Sequence, residues 1–144
     1  MDANLKSVMT ADPACCTPDT PLRDVAQMMA KNDCGGVPIV DSKDTRKPMG
    51  MVTDRDITVR MVAEGRETGT AKASDCMTTP VTTIQQGASL ADCAKAMEQN
   101  QIRRVVVVDD NGAVCGIVAQ ADIALAGRDR TTGEMVEQVS RPAH

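Results

Sequence analysis

Apolar residues follow the same sequence of patterns twice along the chain. A segment with helical spacing comes first, then two short uninterrupted apolar runs, and then a second segment with helical character. The apolar runs lie at 37–40 and 49–52 in the first half and at 105–108 and 114–118 in the second. Runs of this length without polar interruption are typical of strands buried on both faces. The helical positions are Leu22, Val25, Ala26 and Met29, and then Leu90, Cys93, Ala94 and Met97.

The two halves are copies of each other, because identical residues occur in register over most of their length. The paired positions include Leu22/Leu90, Asp24/Asp92, Met29/Met97, Asn32/Asn100, Val37/Val105, Asp41/Asp109, Gly50/Gly116, Asp56/Asp122 and Ile57/Ile123. Each copy follows a short lead-in, Val8-Met9-Thr10 or Cys76-Met77-Thr78. We therefore infer a tandem duplication, with repeats at 6–66 and 74–128, a polar surface linker at 67–73, and a C-terminal helix and tail at 129–144.

Capping residues indicate two helix starts, and the doubled junction indicates two more. Asp19-Thr20-Pro21 predicts an N-cap followed by a proline in the first helical position. Ser89, three residues before Asp92, is close to a capping box. Gly50–Ile57 and Gly116–Ile123 each predict a strand that passes directly into a helix, and Ile57, Val59, Met61 and Val62 are expected to form the apolar face of the first of these helices.

Composition narrows the class of protein. The chain has ten methionines and no Phe, Trp or Tyr, so its core must be aliphatic and sulfur-rich. The net charge of −4 is spread over the chain, and no aromatic platform for bases exists, which argues against a nucleic-acid partner. No apolar stretch reaches the length of a membrane span, and we expect a cytoplasmic protein without membrane contact.

The six cysteines contain no C-x-x-C pair, and the only histidine is His144. We therefore expect reduced, mostly buried thiols and no metal site. No nucleophile lies beside a base and no phosphate-binding glycine loop is present, so the pattern predicts a protein that is not an enzyme and has no catalytic cofactor.

The doubled junction resembles that of a tandem CBS-domain pair, or Bateman module. Both copies carry a glycine, two apolar residues, a position that is Thr53 in the first copy and Ala119 in the second, two variable positions, and then an aspartate, Asp56 or Asp122, followed by an isoleucine. Ile102-Arg103-Arg104-Val105 is similar to the basic pair that this family often places before its central strand. The resemblance covers residues 6–126 and is strongest to small stand-alone bacterial CBS proteins. It implies an α/β fold of two pseudo-twofold-related repeats, each a small mixed β-sheet packed on two helices.

The resemblance also implies a regulatory module that binds AMP, ADP, ATP or NAD in clefts between the repeats, and a homodimer that controls an unknown partner protein. A helix N-terminus attracts phosphate, and an ionised aspartate accepts hydrogen bonds from a ribose diol. The residues expected to contact the nucleotide are Thr53, Arg55, Asp56, Asp122, Val37, Pro38, Ile39, Cys16, Thr17, Thr82, Thr83, Arg103, Arg104, Val105 and Ile117.

Simpler interpretations stay open for several of these residues. Thr53 and Asp56 also form a capping box without any ligand, and Arg103-Arg104 also fits a solvated corner. Because Ala119-Gln120-Ala121 replaces Thr53-Asp54-Arg55, we expect the first junction to bind phosphate better. The alternative function is a ligand-free scaffold for dimerisation or partner binding.

Overall fold

The computed structural model describes residues 4–126. The predicted C-terminal helix lies outside this range. The helices are α1 (Leu5–Val8), α2 (Leu22–Asn32), α3 (Asp54–Asp56, continued by a π-helical segment Ile57–Val62), α4 (Leu90–Asn100) and α5 (Gln120–Ala126). The strands are β1 (Thr10–Ala11), β2 (Gly36–Val40), β3 (Pro48–Thr53), β4 (Thr83–Gln85), β5 (Arg104–Val108) and β6 (Val114–Ala119).

The described residues form two compact units that do not coincide with the sequence repeats. The first-repeat unit contains residues 13–81 and 112–114, and the second-repeat unit contains residues 4–12, 82–111 and 115–126. Each unit therefore takes its lead-in from the other half of the sequence. The lead-in at 76–78 packs with the first repeat, and the lead-in at 8–10 packs with the second.

The two units have the same strand register. In the second-repeat unit the sheet order is β1-β6-β5-β4, with β4 parallel to β5 and β1 antiparallel to β6. In the first-repeat unit β2 and β3 form an antiparallel pair, which single bridges extend on both sides. The parallel bridge Cys16–Ile39 corresponds to Ile84–Val107, and the antiparallel bridge Met51–Thr78 corresponds to Ile117–Thr10. The predicted mixed α/β fold is confirmed within each unit.

Gly50 and Gly116 leave space for the lead-ins to pack against β3 and β6. A Cβ atom on Gly50 would lie 2.7 Å from the carbonyl oxygen of Thr78, and a Cβ on Gly116 would overlap the Sδ of Met9. The glycine of the doubled motif is therefore explained by packing of the exchanged lead-in.

Each unit has its own aliphatic core. The first contains Cys16, Leu22, Val25, Met29, Val37, Ile39, Val52, Met61, Ala71, Ala73 and Cys76. The second contains Leu5, Cys93, Ala94, Met97, Val105, Val107, Val118 and Ile123. The apolar helical positions predicted from the sequence pack in these cores, except that Ala26 is exposed. All six cysteines are free thiols, and Cys34 is the exposed one.

Some local predictions were wrong. Neither Asp19 nor Thr20 caps α2, which begins at Leu22 after an uncapped Pro21, because the Thr20 hydroxyl accepts the Thr17 amide instead. Ala71 and Ala73, expected in a surface linker, are core residues.

The apolar face predicted for the helix after β3 was also partly wrong. Val59 and Val62 are exposed by 45% and 64%, and only Met61 of that segment is buried.

The capping box at Ser89 and Asp92 is confirmed.

Candidate functional site

The end of β3 and the start of α3 form a closed capping box. The Asp56 amide donates to Thr53 Oγ1 at 3.1 Å, and the Thr53 amide donates to Asp56 Oδ2 at 2.9 Å. Thr53 has β geometry and is the residue at which the strand turns into the helix. The capping interpretation of this pair is thus correct, and any ligand contact by either residue would be additional to it.

The other carboxylate oxygen of Asp56 faces the exchanged lead-in. Thr78 Oγ1 donates to Asp56 Oδ1 at 3.2 Å, and Arg60 Nε lies 3.8 Å from the same oxygen. The Asp56 side chain is only 13% exposed. Burial raises the pKa of the nearby Cys76 thiol, and the Asp56 charge raises it further. A thiol in this environment stays protonated near neutral pH.

Arg60 and Thr78 are site residues that sequence reasoning missed. The signal for Arg60 was its position four residues after Asp56 on one helix, where opposite charges meet. For Thr78 the only signal in the sequence was the repeated lead-in motif. That motif does not show that Thr78 packs against the first repeat.

The amide groups at the start of α3 are not free, which corrects the expectation of an open phosphate site there. The Asp54 amide donates to the Gly35 carbonyl at 2.9 Å, and the Arg55 amide donates to Asp54 Oδ1 at 2.8 Å. With the Asp56 amide bonded to Thr53, the first three donors of the helix are satisfied inside the protein. The Arg55 side chain is exposed beside them.

The junction in the second-repeat unit keeps only part of this arrangement. The Ala119 amide donates to Asp122 Oδ2 at 2.8 Å, and the Gln120 amide donates to the Arg103 carbonyl at 2.7 Å. Among residues 4–126, no bond occupies the amides of Ala121 and Asp122. Because alanine has no hydroxyl, half of the capping box is missing and two helix donors are available.

Arg103 and Arg104 lie at this second junction. The Arg103 carbonyl is bonded to the first residue of α5, and Arg104 begins β5. The Arg103 side chain is exposed and that of Arg104 is half-buried. Within the second-repeat unit the main chain of Arg103 thus lies at the start of α5, the helix that carries Asp122.

The residues expected to form an apolar slot for adenine are mostly core residues. Val37, Ile39 and Val105 are 0% exposed, Cys16 is 3% exposed, and Pro38 is buried. Strand side chains buried on both faces can offer a ligand only their main chain. Ile117 is half-buried and pairs with Thr10 of the lead-in.

The segments Cys16-Thr17 and Thr82-Thr83, predicted to contact the nucleotide, do not occupy equivalent positions in the two repeats. Thr83 pairs with Val106 of β5, near the strand end that carries Arg104. The half-buried Thr82 accepts the Val106 amide through its carbonyl.

Cys16 pairs with Ile39 of β2, and Gly36 of the same strand pairs with Thr53. Ile39 and Gly36 are three residues apart, which corresponds to about 10 Å along a strand. The Thr17 hydroxyl is bonded to that of Thr20. The first-half counterpart of Thr82-Thr83 is Ala14-Cys15, as the offset of 68 residues between Val37 and Val105 indicates.

The comparisons with known proteins agree with the duplicated architecture. A family model described as "CBS domain" matches residues 5–63 and 73–129. The CBS domain-containing protein YhcV of Bacillus subtilis is 36% identical over 123 residues, which cover 85% of this chain and 84% of YhcV. Hypoxic response protein 1 of Mycobacterium tuberculosis is 31% identical over 137 residues, 95% of this chain and 94% of that protein.

Solved structures share this fold. Hypoxic Response Protein I, determined with two coordinated zinc ions, superposes with a TM-score of 0.75 at 32% identity, covering 88% of this chain and 100% of that one. The CBS domain protein PAE2072 of Pyrobaculum aerophilum, complexed with AMP, gives a TM-score of 0.76 at 24% identity, with coverages of 96% and 100%. Among residues 4–126 of the present chain, no group of three or more His, Cys, Asp or Glu side chains could hold a metal ion. No helix in that range is long and apolar enough to cross a membrane.

Proposed function

Because the chain belongs to the CBS domain family and carries two copies of the domain, we propose that it is a non-enzymatic regulatory module. It binds an adenosine-containing nucleotide through the aspartates of its two junctions. One observation carries this proposal. Asp56 and Asp122 are each held by the amide three residues earlier, at 2.9 and 2.8 Å, at equivalent positions of both units. The second aspartate keeps this orientation although Ala119 cannot complete the capping box.

A carboxylate fixed in this way suits a ribose. An ionised carboxylate has about four acceptor sites and no donor, whereas a vicinal diol offers two hydroxyl donors. A backbone bond on one oxygen orients the group and leaves acceptor capacity on both oxygens. The AMP complex of PAE2072 supports an adenosine ligand for a protein of this fold.

The arrangement of donors suggests that the second junction is the better phosphate site, which reverses the ranking predicted from the sequence. Free amides at a helix start and a nearby guanidinium both favour phosphate. Ala121 and Asp122 have amides without a partner among residues 4–126, and the carbonyl of Arg103 is bonded to the amide of the preceding residue, Gln120. At the first junction the first three helix amides are bonded, which leaves the exposed Arg55 side chain and the hydroxyl hydrogen of Thr53 as donors. We propose AMP, ADP, ATP or NAD as ligands, with their phosphates favouring the second site.

The test begins with the purified protein. The chain has no Trp or Tyr, so a co-purified nucleotide dominates its near-ultraviolet absorbance after denaturation and filtration. Added AMP, ADP, ATP or NAD should raise the melting temperature. A ligand at about 100 times its dissociation constant contributes roughly 2.7 kcal/mol to stability.

Three variants assign the effect to the junctions. Asp56→Asn and Asp122→Asn should each remove part of the calorimetric binding signal. Ser89→Ala is the matched control, since Ser89 and Asp92 form the same kind of capping box at a different helix, α4. It should lower stability and leave ligand affinity unchanged. A clean filtrate together with no thermal shift at millimolar nucleotide would overturn the proposal.

The second candidate function is a ligand-free scaffold, favoured by the internal partners of Asp56. Thr53, Thr78 and Arg60 together leave its side chain 13% exposed. A scaffold requires no nucleotide, so Asp56→Asn would then alter stability alone. The same thermal-shift series separates the two functions.

We further propose that the protein is a cytoplasmic homodimer that associates through the helices after the junctions and regulates a partner protein. Val59 and Leu125 occupy equivalent positions in the two repeats and are exposed by 45% and 80%. Equivalent exposed apolar residues on two helices support a self-complementary interface. Light scattering on the native chain and on a Val59→Lys, Leu125→Lys double variant tests this proposal. The repeat boundaries 6–66 and 74–128 stay predictions.

A further inference from the structure

The exchanged lead-in reaches the first junction through paired backbone bonds. The Met51 amide donates to the Thr78 carbonyl at 3.0 Å, and the Thr78 amide donates to the Met51 carbonyl at 2.8 Å. This pairing fixes Thr78 beside β3, two residues before the strand ends at Thr53. The Thr78 side chain is thereby placed to reach the Asp56 carboxylate.

Arg60 fastens the same lead-in to the helix. One of its terminal nitrogens, Nη1, donates to the carbonyls of Met77 at 3.0 Å and Cys76 at 3.3 Å. Its Nε lies 3.8 Å from Asp56 Oδ1. Arg60 therefore supplies a positive charge beside a carboxylate that is mostly withdrawn from water, and it holds the chain that carries Thr78.

The carboxylate has a defined remaining capacity. The Thr53 amide uses one acceptor site on Oδ2, and the Thr78 hydroxyl uses one on Oδ1. About two of the four lone-pair positions are then left, one on each oxygen. This number and spacing match the two hydroxyl donors of a vicinal diol.

The second copy lacks the same support. Thr10 is the counterpart of Thr78 and pairs with Ile117, but among residues 4–126 its hydroxyl makes no bond to Asp122. Ala126 stands where the first repeat has Arg60. Within the described residues Asp122 accepts one hydrogen bond, from Ala119. Asp56 therefore has a threonine and an arginine beside its carboxylate, whereas Asp122 has neither in the part of the chain that the structure describes.

We propose that Thr78 and Arg60 are positioning residues of the first ligand site. They fix the Asp56 carboxylate so that its two free acceptor sites receive a ribose diol. This assignment rests on the proposed nucleotide binding and adds to the site one residue, Thr78, from outside the first sequence repeat. It also makes the first site the one that discriminates ribose from deoxyribose more strongly.

The experiment measures binding of AMP and of 2′-deoxy-AMP by titration calorimetry in an Asp122→Asn background, which isolates the first site. Thr78→Val should weaken AMP binding about tenfold or more, since it removes one hydrogen bond to a charged group. It should leave 2′-deoxy-AMP binding nearly unchanged, because that ligand lacks one of the two donors. Arg60→Met should act in the same direction. Thr78→Ser should retain AMP affinity, and Thr10→Val is the matched control without effect.

Three results would overturn the assignment. Equal losses for AMP and 2′-deoxy-AMP would show that Thr78 only supports the fold. Tighter AMP binding by Thr78→Val would show that the hydroxyl competes with the ligand. An Asp122→Asn chain that binds no AMP, although wild type binds it, would show that the first site takes no nucleotide. Failure of the proposed function is a separate outcome, in which wild type itself binds no nucleotide.

Discussion

Gly50→Ala tests whether the exchanged lead-in stabilises the first-repeat unit. The new Cβ would lie 2.7 Å from the Thr78 carbonyl oxygen and 3.1 Å from Met77 Sδ. Ordinary contact begins at about 3.4 Å, so the carbonyl would have to move by about 0.7 Å. A methionine side chain can turn aside, but a backbone carbonyl in a bridge cannot. The lead-in must therefore shift as a whole.

The cost follows from the bonds that such a shift weakens. Met51 and Thr78 exchange two backbone hydrogen bonds, at 3.0 and 2.8 Å. Each is worth about 0.5–1.5 kcal/mol net, and overpacking typically costs about 1–3 kcal/mol. Replacing glycine by alanine also stabilises the folded state by about 0.4–1 kcal/mol, because it reduces the conformational entropy of the unfolded chain. We expect a net loss of about 2 kcal/mol, or roughly 4–8 °C in melting temperature.

Urea unfolding followed by circular dichroism measures this loss, and two other glycines serve as controls. Gly116→Ala should cost less than half as much, because the atoms nearest its Cβ belong to the side chain of Met9. Gly87→Ala should be neutral within about 0.5 kcal/mol, since nothing lies within 4 Å of its Cβ. If Gly50→Ala is as stable as wild type, or if Gly116→Ala is the more destabilising change, the lead-in does not stabilise the first-repeat unit in this way.

Three further predictions concern other parts of the structure. Thr53→Ala should lower the free energy of unfolding by about 1 kcal/mol in urea, as should Ser89→Ala, and a wild-type value for either would contradict the capping geometry. Leu5→Ala should cost about 2–5 kcal/mol in a thermal melt, because Leu5 is 0% exposed in the second core; a change below 1 kcal/mol would show that α1 is not docked. Burial raises the pKa of the Cys93 thiol to about 11, so the folded state keeps a proton that the unfolded state loses near pH 9. The protonated thiol therefore contributes about 2–3 kcal/mol to the free energy of unfolding below pH 9, and this contribution is lost as the pH rises to about 11. In Cys93→Ala, the free energy of unfolding measured in urea should decrease less between pH 8 and 10.5 than it does in wild type.

Local features of the chain were predictable because they depend on neighbours in sequence. The reciprocal bonds of Thr53 with Asp56 and of Ser89 with Asp92 require only a spacing of three residues at a helix start. At α2 the same logic failed, because the Thr20 hydroxyl found a partner in the preceding turn instead. Capping residues compete for nearby amides, and the sequence does not rank the competitors.

By itself, the sequence determined the duplication, the order of helix, two apolar strands and helix within each repeat, the aliphatic cores and the equivalence of Asp56 with Asp122. All of these follow from periodicity and from register between two copies. Only the tertiary structure decided that each lead-in packs with the other repeat, as Thr78 does against Asp56. A strand edge can pair with any segment that has suitable backbone donors and acceptors. Which segment pairs there depends on spatial proximity in the folded protein, and separation along the chain does not show that proximity. The same reason explains Gly50 and Gly116, whose missing side chains leave room for atoms 28 and 107 positions away in the sequence.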